Sequence, residues 1–221
     1  MQPLKVEAFL TDGRVATSDL YLPLDSMLAW SWIFEHRPEL LAKTTSGLEG
    51  EIYHPPIPLK RIGDDDNWYY ACSFACGKPV GERTNYWHKR FDAQHAETYA
   101  DFEGRREKVN TSAGRYKNYR MPVVTYLIAK LTWYCVGDAQ EIEYLLSNIT
   151  HIGKKRSQGY GEIREWTVTP SDVDKSHLRP IPSDAGTDVL AIRPPYWERS
   201  NHMLVTWPEG CEELACFAER G

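Results

Sequence analysis

Residues 121–169 constrain the fold more tightly than any other part of the chain. Met121 to Val136 is rich in Val, Thr, Tyr, Ile and Trp, residues that suit a pleated, half-buried surface. Its 16 residues are long for one strand, so a bulge or bend is expected near Ala129–Lys130. Asp138 then opens a helix, with Glu141 three residues on as the partner of a capping box. Ile142, Leu145, Leu146 and Ile149 follow at the i, i+3, i+4, i+7 spacing that lays one apolar stripe on a sheet. A glycine-rich loop, Ile152 to Ile163, leads into a short β-like run, Glu162 to Thr169.

The loop reads Ile-Gly-Lys-Lys-Arg-Ser-Gln-Gly-Tyr-Gly-Glu-Ile. Gly153, Gly159 and Gly161 permit positive φ and close approach of another backbone, so the loop's N–H groups can wrap phosphates. Lys154, Lys155 and Arg156 bring the positive charge a polyanion needs. A nucleotide-hydrolase phosphate loop and a dinucleotide fingerprint both open a helix. This loop instead leaves a helix and opens a strand. The order points to RNA and away from a nucleotide cofactor, and no cofactor is expected.

The preceding half of the chain can be read the same way. Leu4 to Leu10 alternates as a first strand, and Leu20 to Leu24 is a loop or short edge piece. Asp25 can cap a helix running to about Arg37, with Leu28, Trp32 and Ile33 on one face and Pro38 near its stop. Trp30 and Trp32 read as core packing rather than RNA stacking. Three prolines demote Glu49 to Lys60 to an edge strand at best. Asp64 to Asn67 is a solvated turn rather than a metal site, and Trp68 to Ala75 reads as a strand. Cys72 and Cys76 lack a second pair at zinc-ligand spacing and read as buried thiols, so no metal is expected. The sequence therefore runs β-α-β, a basic insertion, then β-α-β. That is the plan of an α+β, ferredoxin-like (split βαβ, RRM-like) domain over residues 1–169, followed by an extension over 170–221.

Charge is unevenly distributed along the 221 residues. The net charge is −5, yet residues 104–120 carry 6 basic against 1 acidic side chain, and 151–164 carry 4 against 1. Local field rather than net charge steers a polyanion. Residues 77–120 form the insertion, punctuated by Gly77, Gly81, Gly104 and Gly114. Arg83, Tyr86, Trp87, His88, Lys89, Arg90 and Phe91 come first, then Arg105, Arg106, Lys108, Arg115, Tyr116, Lys117 and Arg120. Interleaved cations and rings suit single-stranded RNA, where guanidinium groups meet phosphates and rings stack on bases. Residues 104–118 offer little to bury and are expected to be mobile without RNA. No run of about 18 apolar residues spans a membrane, and no apolar signal-peptide core opens the chain. An odd cysteine count of 5 suits reduced thiols and a cytoplasmic setting.

A helix that runs through such a loop into the last strand resembles the RAMP superfamily of CRISPR-associated RNA-binding proteins. The residues that carry the resemblance are Gly153, Lys154, Lys155, Arg156, Ser157, Gln158, Gly159, Tyr160 and Gly161, with the helix Asp138 to Ile149 before them. It covers roughly residues 3–169. Length and the single loop make the chain most similar to the Cas five-type subunit that caps the crRNA 5′ handle in class 1 effector complexes, in its short type IV version. The resemblance implies that residues 77–120 are a thumb touching the handle and the neighbouring backbone subunit. It also implies the large subunit as a partner, excludes a membrane, and leaves contact with target DNA open. Residues 170–221 match no family motif and read as a subunit contact or a covering β-element.

Two other functions stay open at this level. Metal-free RNA cleavage needs a base near the 2′-OH and a cation for the developing charge. His88 with Tyr86 and Lys89, or His151 beside the loop, could serve in a crRNA-processing endoribonuclease. In one CRISPR subtype this subunit is the processing nuclease, whereas type IV systems generally give processing to a separate protein, so the expectation is binding without catalysis. A small-molecule or metal-binding α+β domain would instead rely on Asp64 to Asp66 or the cysteines.

Overall fold

The computed structural model describes residues 1–41, 53–99 and 109–217. It is a mixed α+β protein built from small antiparallel sheets with few helices. In chain order the strands and helices begin β1 (Gln2–Leu10), β2 (Arg14–Ala16), α1 (Leu24–His36), β3 (Arg61–Ile62) and β4 (Tyr69–Tyr70). β5 (Gly81–Lys89), α2 (Ala93–Tyr99), β6 (Tyr119–Leu127), β7 (Lys130–Gly137), α3 (Ala139–Leu146) and β8 (Ile163–Pro170) follow. β9 (Ile181–Pro182), β10 (Asp188–Ala191) and β11 (His202–Thr206) complete the chain.

The central sheet has the order β7-β1-β8. The expected break in the long β run falls at Ile128–Ala129, and it divides the run between two sheets rather than bending one strand. β7 pairs with β1, whereas β6 pairs with β2 and β5. The two crossovers hold each other: Leu10 N–H donates to Ala129 O at 3.0 Å and Ile128 N–H to Gly13 O at 2.8 Å. Gly13 makes the turn with φ +66°. The hairpin β5–β6 is thus an arm whose root grows from the corner where β1 becomes β2. Its return strand runs to Leu127, past the expected boundary at residue 120.

α3 keeps the predicted apolar stripe but ends at Leu146, so Ile149 packs from the stretch beyond the helix. The Asp138 carboxylate accepts from Gln140 N and Glu141 N at 3.0 and 3.1 Å. The second half of a capping box does not form, because Asp138 N–H donates to Pro58 O instead. Ile142, Leu145, Leu146 and Ile149 are all buried, and each contributes roughly 1.5–3 kcal/mol of apolar burial. Trp133 and Trp166 meet in this core with ring centroids 5.7 Å apart, their indole N–H groups donating to Leu22 O and Ile149 O. Trp30 and Trp32 are half-buried against the same core.

Two local expectations are corrected. Asp25 does not cap α1: the cap position is Pro23, without a side-chain bond. Asp25 turns inward to Arg179, a partner 154 residues away that no local rule can see. Trp68 to Ala75 is not one strand, since only Tyr69–Tyr70 pairs regularly, with β3. Beyond it the N–H groups are divided, Ser73 donating to Tyr134 O, Phe74 to Leu178 O and Ala75 to Leu22 O. Isolated bridges Cys72↔Cys135 and Cys76↔Thr132 still run this segment along the outer edge of β7. Of Glu49 to Lys60, residues 49–52 lie outside the described residues, and Leu59 makes only an isolated bridge to Gly137.

Residues 171–217 cover this irregular edge with a sheet ordered β10-β11-β9 and with two inserted arginines. Arg179 is fully buried. Its Nη1 donates to Tyr70 O, Cys72 O and Asp25 Oδ2, and its Nη2 to Ile192 O and the Tyr196 hydroxyl. Tyr196 in turn donates to the Asp25 carboxylate, 2.9 Å away. Arg193 donates to Asp66 O and Trp68 O, and lies 4.8 Å from the Trp68 ring centroid. The five cysteines are free thiols, and burial pushes Cys76 and Cys135 up to about 12, which keeps them neutral at physiological pH. The Asp64 carboxylate accepts from Asn67 N at 2.9 Å, closing an exposed turn. No helix among the described residues is long and apolar enough to cross a membrane.

Arg179→Met strands the Asp25 carboxylate in the core and is expected to cost about 3–5 kcal/mol in a urea titration. Adding Asp25→Leu removes the uncompensated charge and should recover much of that loss. A milder dependence is expected at Glu7. Burial pushes its carboxyl up, but Lys130 at 2.6 Å and Lys5 at 3.0 Å outweigh that and hold it below the ordinary 4.5. A depressed carboxyl contributes stability that is complete above the unfolded value and is lost as pH falls below 4.5 toward the folded one. Thermal melts of Glu7→Gln should therefore vary less with pH below 4.5 than those of the parent.

Candidate nucleic-acid interface

The glycine-rich loop closes on itself before it faces solvent. His151 and Glu162 bridge its base, with Ile152 N–H donating to Gly161 O and Ile163 N–H to Thr150 O, both at 2.9 Å. Its upper part is seated on β2 by Lys154 N–H to Ala16 O at 2.6 Å and Gly161 N–H to Arg14 O at 2.8 Å. A Cβ on Gly153 would stand 2.6 Å from Ala16 O, and one on Gly161 would overlap Ile152 O. Two of the three glycines therefore serve contacts within the protein. Only Gly159, with φ +81° and nothing within 4 Å of its Cβ direction, fits the open role first assigned to all three.

With those N–H groups committed inside, the cations carry the loop's outward chemistry. Lys155 is the one non-glycine residue at positive φ among the described residues (φ 58°, ψ 33°), a conformation costing on the order of 1 kcal/mol or more. It starts the short turn Arg156–Gln158. The Lys155 ammonium sits 4.1 Å from the Trp87 ring centroid on the hairpin. Tyr160 meets Asn85 Nδ2 at a long 3.4 Å, and the Arg14 guanidinium lies 5.5 Å from the Tyr160 ring. Lys154 donates to Ser18 at 2.8 Å. Arg156, Ser157, Gln158 and Gly159 are exposed.

Strand alternation sorts the hairpin's side chains. Asn85, Trp87 and Lys89 share the face toward the loop, opposite Val123, Met121 and Tyr119 in register. Trp87 packs edge-on to Tyr119, with centroids 5.2 Å apart. Tyr86 and His88 share the other face, opposite Pro122 and Arg120, and the Arg120 guanidinium stacks 3.6 Å from the Tyr86 ring. Lys89 reaches the outer end, donating to Arg115 O, while Phe91 meets Tyr116 edge-on. Arg115, Tyr116, Lys117 and Arg120 are exposed there. Arg105, Arg106 and Lys108 lie outside the described residues, as does part of the stretch expected to be mobile.

Loop and hairpin are thus brought together along Asn85, Trp87, Lys155 and Tyr160. The two candidate histidines are not: His88 is on the far face of the hairpin and His151 at the loop base, where Nδ1 contacts Thr150 Oγ1. Lys89 is on the opposite face from Tyr86 and His88, so that trio is split. Sequence reading missed Arg14, Ser18 and Asn85, whose roles depend on which strand lies beside the loop. It also missed α2, which had a local signal: Asp92 accepts from His95 N ahead of Ala-Gln-His-Ala-Glu. A cavity of about 1040 Å³ lies between α1 and residues 190–202. Aromatic and proline walls line it, with Asp19 and Glu198 its carboxylates, which disfavours a phosphate chain.

The fold and this face together define an α+β protein that presents cations and rings on one loop–hairpin surface. A family model described as CRISPR type IV associated protein Csf3 matches residues 2–208. The chain belongs to that family, and it is a type IV CRISPR-associated subunit of the RAMP, Cas five-like kind. Comparison with curated proteins found no match.

Alanine at Gly159 meets only the backbone cost of positive φ, about 1–2 kcal/mol. Gly161→Ala adds the overlap with Ile152 O and should be distinctly more destabilising in parallel denaturation curves. Equal losses would mean that the loop is not seated this way.

Proposed function

We propose that this subunit is a non-catalytic RNA-binding component of a type IV effector ribonucleoprotein, capping the crRNA 5′ handle and touching the neighbouring backbone and large subunits. The observation that carries the reading is the continuity of the glycine loop with the hairpin, through Lys155 over Trp87 and Tyr160 beside Asn85. Exposed guanidinium and ammonium groups interleaved with rings suit a single strand, which offers both phosphates and base faces. The core is read as ferredoxin-like. β8-β1-β7 supplies three strands, residues 59–76 run along the outer edge of β7, and α1 and α3 pack together through the Ser31 hydroxyl on Leu145 O. The hairpin is read as the thumb and residues 170–221 as an extension covering the sheet edge. A cleavage reading would rest either on His88 with Arg120, directly paired across the hairpin, or on His151, which shares a cleft with Arg156.

The test is metal-free incubation with a labelled repeat RNA, run on native and denaturing gels. A shift with intact RNA is expected, and affinity should fall steeply with salt. Replacing Lys154, Lys155 and Arg156 by Ala should abolish the shift at moderate salt and flatten the log–log salt slope by about 2, at roughly 0.7 per phosphate contact on a single strand. Lys155→Gly should separate stability from function, relieving positive φ while still weakening binding. Discrete cleavage that disappears with His88→Ala or His151→Ala would replace the capping role by processing.

A further inference from the structure

On the side of the loop away from the hairpin lies a second cleft, of about 300 Å³. That is the lower end of the range for small-ligand sites, roughly 300–1,000 Å³. Its walls come from α1 (Trp30), from the stretch after α3 (Asn148 to His151) and from the loop turn (Arg156, Ser157). Trp30 is half-buried and backed by Phe34, the two rings stacked with centroids 5.3 Å apart and planes 15° from parallel. A flat, rigid aromatic wall results.

The polar groups around this wall are held in fixed orientation. Asn148 Nδ2 donates to the Glu35 carboxylate at 2.8 Å and to Ser31 Oγ at 3.1 Å. A carboxylate can only accept, so the amide cannot flip, and its carbonyl Oδ1 is left as an acceptor without a partner among the described residues. His151 uses Nδ1 on Thr150 Oγ1 and keeps Nε2. The Arg156 guanidinium has no ion pair or hydrogen bond among the described residues. Lys155 in its left-handed conformation turns the chain so that consecutive cations serve opposite sides, Lys155 toward Trp87 and Arg156 toward this cleft. Strained backbone at such a point is a recurring feature of ligand-holding loops.

We infer that this cleft receives one unstacked nucleobase of the bound RNA, a reading that rests on the RNA-binding function proposed above. The base lies against Trp30 and His151, its edge N–H meets Asn148 Oδ1, and Arg156 takes the adjoining phosphate. The loop then acts as a divider: backbone and stacking contacts run along the hairpin side, and one nucleotide is turned over the loop into the helix side.

The test uses the intact chain and a single-stranded repeat RNA in which each nucleotide in turn is replaced by an abasic ribose, followed by fluorescence anisotropy at low salt. One position should lose about tenfold in affinity when its base is removed, the scale of one stacked base. That penalty should vanish in Trp30→Ala and shrink in His151→Ala, while Trp87→Ala leaves it in place. Trp30 also packs on the core, so if circular dichroism shows that variant unfolded, His151→Ala decides. Salt-sensitive binding with no base-sensitive position, or a sensitive position unchanged in both cleft variants, overturns this inference and leaves RNA binding standing. No binding at any salt by the folded chain overturns both.

Discussion

Two backbone hydrogen bonds, Lys154 N–H to Ala16 O and Gly161 N–H to Arg14 O, are what the candidate surface depends on. They seat the glycine-rich loop on β2, a strand of three residues whose other edge pairs with β6. β6 carries β5 along its whole length, so the hairpin's orientation relative to the loop is set through β2. Without that short strand the cations of the loop and the rings of the hairpin would belong to unrelated elements. Gly153 and Gly161 are required because they leave no room between the loop and its supports, and this is a constraint of packing rather than of ligand approach.

A second constraint works from the other end of the chain. The edge of β7 is lined by an irregular segment, residues 59–76, which bonds β7 only in places, Ala71 O accepting from Val136 N–H and Cys76 O from Thr132 N–H. Arg179 and Arg193 insert there and satisfy Tyr70, Cys72, Asp66 and Trp68 carbonyls. A buried guanidinium is tolerated because its donors find acceptors, with Asp25 and Tyr196 closing the network; Arg179 Nε alone stays unmatched. The acidic, proline-containing tail thereby holds the irregular strand segment in register with the central sheet. The cationic surface and this clamp lie on different flanks of the same core, so one can be altered without the other.

Membership of the type IV family gives the charge distribution a physical sense. Under the RNA-binding role proposed above, such a subunit does not need net positive charge, which would promote indiscriminate association. It needs cations gathered where a strand is meant to run. In this chain they gather on two segments far apart in sequence that the β2–β6 pairing makes neighbours.

Much of the fold could be read from local pattern, because the relevant physics is local. The α3 stripe, its Asp138 cap, the break near Ala129 and the order helix, glycine loop, strand all follow from periodicity and capping within about ten residues. The basic character of loop and hairpin was equally legible, since charge is visible without coordinates. Only the tertiary structure decided which faces meet. Strand alternation is readable in sequence, but which of Trp87 and His88 points at the loop depends on where the loop sits. Asp25 looked like a cap because a capping carboxylate and a buried one are the same residue until a distant Arg179 is known. The glycines looked like ligand glycines because a positive φ does not reveal which backbone comes close. Short-range hydrogen bonding wrote the elements into the sequence, and long-range pairing through a three-residue strand decided the surface they make.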